Sequence, residues 1–351
     1  MNDASVVASP ADGSAARKLI LGSVALCLFM LFATARAQPS CESFDPSDEA
    51  GVSYLWEQAS SLSPEEVQHY QEIFKACLAA GEAGSANAAY RLGWMYFAGI
   101  GTERDGHRAA VWLHRAEQRE SGEAAFMLAV LYSSGMGVAK NDERARSLFL
   151  KAARAGNPMA QTRMGHYYSE EGEQQDLREA HRWYKSAAEQ GRRIAQVELG
   201  LMYRDGRGVA RNAEEAFRWF LQAAEAGEPY AQLLVATAYH RGRGVAVDED
   251  AAIGWALRGA LQGDAACQYL LGGLLSMQPR IESQIRAYAW LNLAVAAGME
   301  NAAELRDSLE LILSEEHIAT AGRLSSSFVP REDAREAYQA PEGDVFDLAP
   351  R

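Results

Sequence analysis

The reactive chemistry open to this chain rests mainly on four cysteines and seven histidines: His69, His107, His114, His166, His181, His240 and His317. Zinc binding and nucleophilic catalysis need such residues in tight register, because ligands or a nucleophile–base pair must converge on one atom. That register is missing: no Ser-x-x-Lys, Gly-x-Ser-x-Gly or His-Glu-x-x-His occurs. Paired glycines recur at Gly99/Gly101, Gly135/Gly137, Gly206/Gly208 and Gly242/Gly244. A phosphate cradle would add a preceding strand and a lysine-serine pair, and neither is present. The expectation is a non-enzyme with no catalytic, cofactor or metal residues. Cys41 and Cys77 both precede the patterned region; they pair or stay free according to the compartment, and the sequence leaves both open. Cys267 takes a position that is alanine elsewhere in the pattern, and so reads as a small buried side chain.

The elements that position these residues repeat. Ala88-Gly93-Tyr96 returns as Ala124-Ala129-Tyr132, Ala160-Gly165-Tyr168, Ala195-Gly200-Tyr203 and Ala231-Ala236-Tyr239, with a degenerate sixth copy Cys267-Gly272-Leu275, at intervals of 35–36 residues. A period of this length marks a repeat array. Each unit reads as an amphipathic first helix, a glycine turn, a second helix and a stop glycine at Gly156, Gly191, Gly227, Gly263 or Gly298. Val138, Val209 and Val245 follow the turn glycines as plugs. Asp105, Asn141, Asp176, Asn212, Asp248 and Ser283 fall where the second helix needs an N-cap. Four residues later stands alanine every time, from Ala109 to Ala287, and then a bulky ridge: Trp112, Leu148, Trp183, Trp219, Trp255 and Trp290. The recurrence of the ridge with the core period predicts burial of each ring.

These residues resemble the Sel-like repeat family, a relative of the tetratricopeptide arrays, best at Ala195-Leu199-Gly200-Tyr203-Gly206-Gly208-Val209-Asn212-Ala216-Trp219-Ala223-Ala224-Gly227. The resemblance implies an all-α protein, an α/α superhelical solenoid of six helix-turn-helix repeats with helical caps. It also implies an adaptor role. Exported relatives include regulators of sensor kinases and components of polysaccharide assembly. The paired cysteine per repeat of the secreted, cysteine-rich branch is absent, so the β-lactamase-like activity once attached to that branch finds no support. The turns Glu171-Gly172-Glu173 and Gln278-Pro279-Arg280 depart from the family pattern and must differ in shape.

Expected boundaries are 1–37 for a signal peptide, 38–85 for an N-terminal segment and capping helix, 86–298 for six repeats, 299–327 for C-terminal capping helices and 328–351 for a disordered acidic tail. The leader shows Arg17-Lys18, an apolar run from Leu19 to Ala33, and Ala35-Arg36-Ala37 before the cleavage point. Periplasmic or secreted location follows, with an uncleaved anchor as the alternative. Ser63-Pro64-Glu65-Glu66 starts a capping helix. A net charge of −13 at pH 7 argues against nucleic acid and anionic membrane as partners.

A repeat array without chemistry presents a surface. Positions that vary between copies on the first helices are the candidates for contact: Tyr90, Trp94, Phe97, His166, Arg204 and His240. Their mix of aromatic and basic side chains suits a protein or peptide on the concave face; no small-molecule substrate is expected. The functional expectation is an exported adaptor in the bacterial envelope, regulating a sensor kinase or an assembly machine. The alternative is a scaffold associated with envelope polysaccharide or peptidoglycan, and a β-lactamase-like hydrolase comes third.

Overall fold

The computed structural model describes residues 39–46, 62–170 and 174–330. The expected leader, Tyr54-Leu55-Trp56, the Glu171-Gly172-Glu173 turn and residues 331–351 lie outside the described residues. Fifteen α-helices and no strand are present among the described residues, and the architecture is a helical repeat solenoid. The chain divides into two compact units, one ending at Ala116 and one starting at Glu117.

The first unit holds a 3-10 turn at Cys41–Ser43, α1 (Pro64–Glu82), α2 (Ala86–Ala98) and all but the last residue of α3 (Gly106–Glu117). Helix α1 starts on the expected capping box: Glu66 N–H donates to Ser63 Oγ, and Ser63 N–H donates to Glu66 Oε2 at 2.8 Å. A Cys41–Cys77 disulfide ties the 3-10 turn to α1. The Arg91 guanidinium donates to the Cys41 carbonyl, and Phe44 is buried beside this staple.

The second unit holds α4 (Gly122–Ser134), α5 (Asp142–Arg154), α6 (Pro158–Glu170), α7 (Gln174–Glu189), α8 (Arg193–Asp205), α9 (Ala213–Glu225), α10 (Pro229–Arg241), α11 (Glu249–Leu261), α12 (Ala265–Ser276), α13 (Ile281–Ala296), α14 (Glu300–Glu310) and α15 (Glu315–Ser326). Each even-numbered helix from α4 to α12 packs against the next, and each resulting pair packs against the pair that follows. The recurring alanines form the floor: Ala145, Ala180, Ala252 and Ala287 are fully buried.

Turn geometry explains the glycine pairs. Gly242 ends α10 in the left-handed region, and Gly244 brings its backbone onto the Ala213 carbonyl of the preceding pair. A Cβ at Gly244 would overlap that oxygen, and φ of +77° would strain any other residue there as well. The turn closes when Asp248 N–H donates to the Tyr239 carbonyl at 3.1 Å, as Asn212 does to Tyr203 at 2.8 Å. Asn141, Asn212 and Asp248 then cap their helices through side-chain oxygens.

Two expected caps are corrected. Asp176 lies inside the first turn of α7, and Ser283 inside that of α13. In both copies the Gly-x-Gly loop is missing, so the second helix starts earlier and the cap position becomes helical. Ser283 is buried there and donates to Gln278 Oε1 at 2.7 Å.

The tryptophan ridge is also corrected. Trp290 is 1% exposed and Trp112 is 7%, but Trp183, Trp219 and Trp255 are only half-buried. The next residue fills the core instead. Tyr184 and Phe220 are buried and face the glycine of the preceding helix: a Cβ on Gly165 would come within 2.5 Å of the Tyr184 ring. Leu113 meets Gly93 in the same way. The helix glycine is therefore a socket for one particular ring or branched side chain, offsetting its cost in helix propensity of about 1 kcal/mol.

At the far end, the sequence pattern assigns Phe328 to the aperiodic tail, and the structure corrects this. The Phe328 ring packs edge-on against Trp290 with centroids 5.3 Å apart, because α15 returns the chain to the α13 surface.

Candidate partner-binding surfaces

The candidate residues stand on first helices, where the 3.6-residue period sets which of them share a face. On α2, Tyr90, Trp94 and Phe97 follow the i, i+4, i+7 spacing and lie half-buried. The Trp94 indole N–H donates to the Tyr90 hydroxyl at 3.0 Å, and the Phe97 ring meets Trp94 edge-on at 5.8 Å. The Arg104 guanidinium lies 5.7 Å from the Phe97 centroid. These three rings form one aromatic patch with a cation at its edge, a chemistry that receives apolar or aromatic side chains.

The other three candidates belong to the second unit. His166 Nδ1 shares a 3.0 Å hydrogen bond with the Tyr184 hydroxyl, whose other neighbour is Ser169 Oγ at 3.4 Å. Burial pushes the Tyr184 phenol up to about 12, and the Ser169 bond only partly opposes that shift. The phenol therefore stays protonated at neutral pH and orients the imidazole rather than ionising. Arg204 forks onto Asp205 at 2.7 and 2.8 Å. That fork holds the Asp205 carboxyl below the usual range and the guanidinium above its own. His240 Nδ1 lies 3.0 Å from Glu249 Oε1. Arg204 and His240 are thus each held by a carboxylate.

No three His, Cys, Asp or Glu side chains are placed to hold a metal among the described residues. Burial drives the Cys267 thiol pKa far up, so this residue is a packing group and no nucleophile.

Sequence reading missed a row of buried glutamines. Gln161, Gln196, Gln232 and Gln268 each follow the recurring small residue of their copy. Their amide N–H groups donate to the carbonyls of Ala153, Ala188, Ala224 and Ala260 at 3.2–3.3 Å, satisfying carbonyls at the end of the preceding helix. The period itself carried the signal, since all four stand at one register. First-helix caps Ser85, Ser121, Asn157 and Asp264 were missed too, although each lies three residues before the recurring small residue.

The Sel1 repeat family matches residues 86–120, 122–157, 158–191, 193–228, 229–264 and 265–299. Among solved structures, a Sel1 repeat protein from Oxalobacter formigenes is 26% identical with a TM-score of 0.56, over 70% of this chain and 95% of that one. The protein c5321, a protective antigen of uropathogenic Escherichia coli strains displaying an SLR fold, is 27% identical with a TM-score of 0.51, over 78% of this chain and 68% of its own.

Proposed function

The chain belongs to the Sel1 repeat family, typically protein-interaction scaffolds without catalysis, and from that premise we propose that it is an exported adaptor binding a protein or peptide segment in the bacterial envelope. The observation that carries the export half is the Cys41–Cys77 disulfide just downstream of a leader-like segment. Such a bond persists in oxidising compartments. The binding half rests on the aromatic patch of Tyr90, Trp94 and Phe97, whose rings lie half-buried on one helix face. Clustered aromatic side chains of this kind anchor polypeptide partners. Regulation of a sensor kinase or of an assembly machine is the envelope role that fits an adaptor of this type.

The test is chemical crosslinking in intact cells, followed by mass spectrometry of the purified adducts and of the chain's own N-terminus. Expected results are an N-terminus at Gln38, an oxidised Cys41–Cys77 pair and an envelope polypeptide joined to the chain. An uncleaved, reduced cytosolic chain would overturn the export half. Recovery of glycan without polypeptide would overturn the adaptor half.

A further inference from the structure

We propose that the C-terminal segment 331–351 docks back onto the second helices of the fourth and fifth repeats, its Tyr338 and Phe346 rings covering Trp219 and Trp255 as Phe328 covers Trp290. In the last three copies the second helices carry tryptophan at the ridge register that Trp112 and Trp183 hold in earlier ones: Trp219 on α9, Trp255 on α11 and Trp290 on α13. Each packs against a core cluster that includes residues of the second helix of the preceding copy, Ala187 and Ala188 for Trp219 and Ala223 and Ala224 for Trp255. The three sites therefore repeat. Their states differ: Trp290 is 1% exposed, whereas Trp219 and Trp255 remain half-buried. At Trp290 the chain that follows the array is in place: Phe328 lies edge-on to it and packs against the cluster that includes Leu257, Ala260 and Leu261 of α11.

The direction of the chain is also given. From Phe328 on the sixth copy it passes to Pro330, which lies against Gly263 at the end of the fifth copy, 3.2 Å from where a Cβ would stand. The matching glycine of the third copy, Gly191, meets nothing within 4 Å. The chain thus leaves Pro330 running toward the earlier repeats. At ~3.3 Å per residue, residues 331–351 extend to about 70 Å. Second helices of neighbouring copies lie only on the order of 10–20 Å apart, so reach is ample. Chemistry matches as well. The segment carries Glu332, Asp333 and Glu336 ahead of Tyr338, and Asp344 and Asp347 around Phe346. On the array, Arg258 lies 4.3 Å from the Trp255 centroid, and exposed Arg218 adjoins Trp219 in sequence. A tail held there is a self-ligand, which an incoming aromatic and acidic segment must displace to use the same groove.

Hydroxyl-radical footprinting of the purified full chain, read tryptophan by tryptophan in mass spectra, tests this. Its comparisons are a chain ending at Pro330 and a full-length Tyr338→Ala/Phe346→Ala variant. Trp219 and Trp255 should label severalfold faster in both altered chains than in the full chain, at rates independent of protein concentration. Trp290 labelling should stay unchanged, because Phe328 is retained, and it reports that the fold is intact. Equal Trp219 and Trp255 rates in all three chains overturn the proposal. So does protection that grows with concentration, which assigns the groove to a second copy. Protection that survives in the double variant overturns the role given to the two rings.

Discussion

Gly165 and Tyr184 show how much one missing Cβ decides. Alanine at 165 gains about 1 kcal/mol of helix propensity, but its methyl would stand 2.5 Å from a ring that is 1% exposed. Overpacking of this kind costs about 1–3 kcal/mol, so Gly165→Ala should lower the thermal midpoint, as calorimetry would record. An unchanged midpoint would show that the socket has slack. His181 supplies a pH dependence. Its Nε2 is buried without a hydrogen-bond partner, and its ring stands edge-on to Tyr203. Burial, helped by the Lys185 charge, holds its pKa below the ordinary 6.5. Above 6.5 both folded and unfolded chains carry it neutral; below 6.5 the unfolded chain takes up the proton first, so this contribution is lost as pH falls. Melting from about pH 7.5 down to about pH 5.5 should therefore lower the midpoint more in the native chain than in His181→Phe. Equal slopes would remove the residue from the account.

At the scale of elements, the helix starts separate the regular copies from the irregular ones. The Asn212 side chain accepts the Glu215 N–H at 3.0 Å, so Asn212→Ala should cost about 1 kcal/mol. Asp176→Ala should cost much less, because Asp176 lies within α7 instead of capping it. Urea titration of the two variants gives the contrast, and equal losses would contradict the corrected start of α7. The sequence made Asn141, Asn212 and Asp248 legible because a Gly-x-Gly turn precedes each at a fixed distance. Where the turn was lost, at residues 171–173 and 278–280, the same periodic reasoning misplaced the cap by carrying the register across an altered loop. The tryptophans failed differently. Period identifies a row of large rings, but only geometry tells which of two adjacent rows, Trp219 or Phe220, points at the glycine. The buried glutamines were visible in the same register and went unread, since polarity is ordinarily a surface signal.

At the scale of the molecule, the repeat period alone made the fold class readable, because six copies agree on register. The surface chemistry was less legible. Arg204 and His240 read as basic contact residues in sequence; the carboxylate on Arg204 is its chain neighbour Asp205, whereas the one beside His240 comes from Glu249, which the fold brings into contact. The N-terminal staple belongs to this scale too. Joining residues 36 apart constrains the unfolded chain by roughly 3–4 kcal/mol in the loop-entropy picture. Cys41→Ser/Cys77→Ser should therefore melt earlier than the oxidised native chain and match the native chain under reductant. A double variant that melts with the oxidised chain would show that the bond adds nothing. The central claim, that this array holds a polypeptide through the aromatic patch on α2, is tested most directly by a photoreactive residue placed at Phe97 in living cells, with a second placed at the exposed Glu225 for comparison. The account predicts a discrete polypeptide adduct from position 97, abolished by Trp94→Ala, and none from position 225. Adducts of equal yield from both positions, or none from position 97, would contradict it.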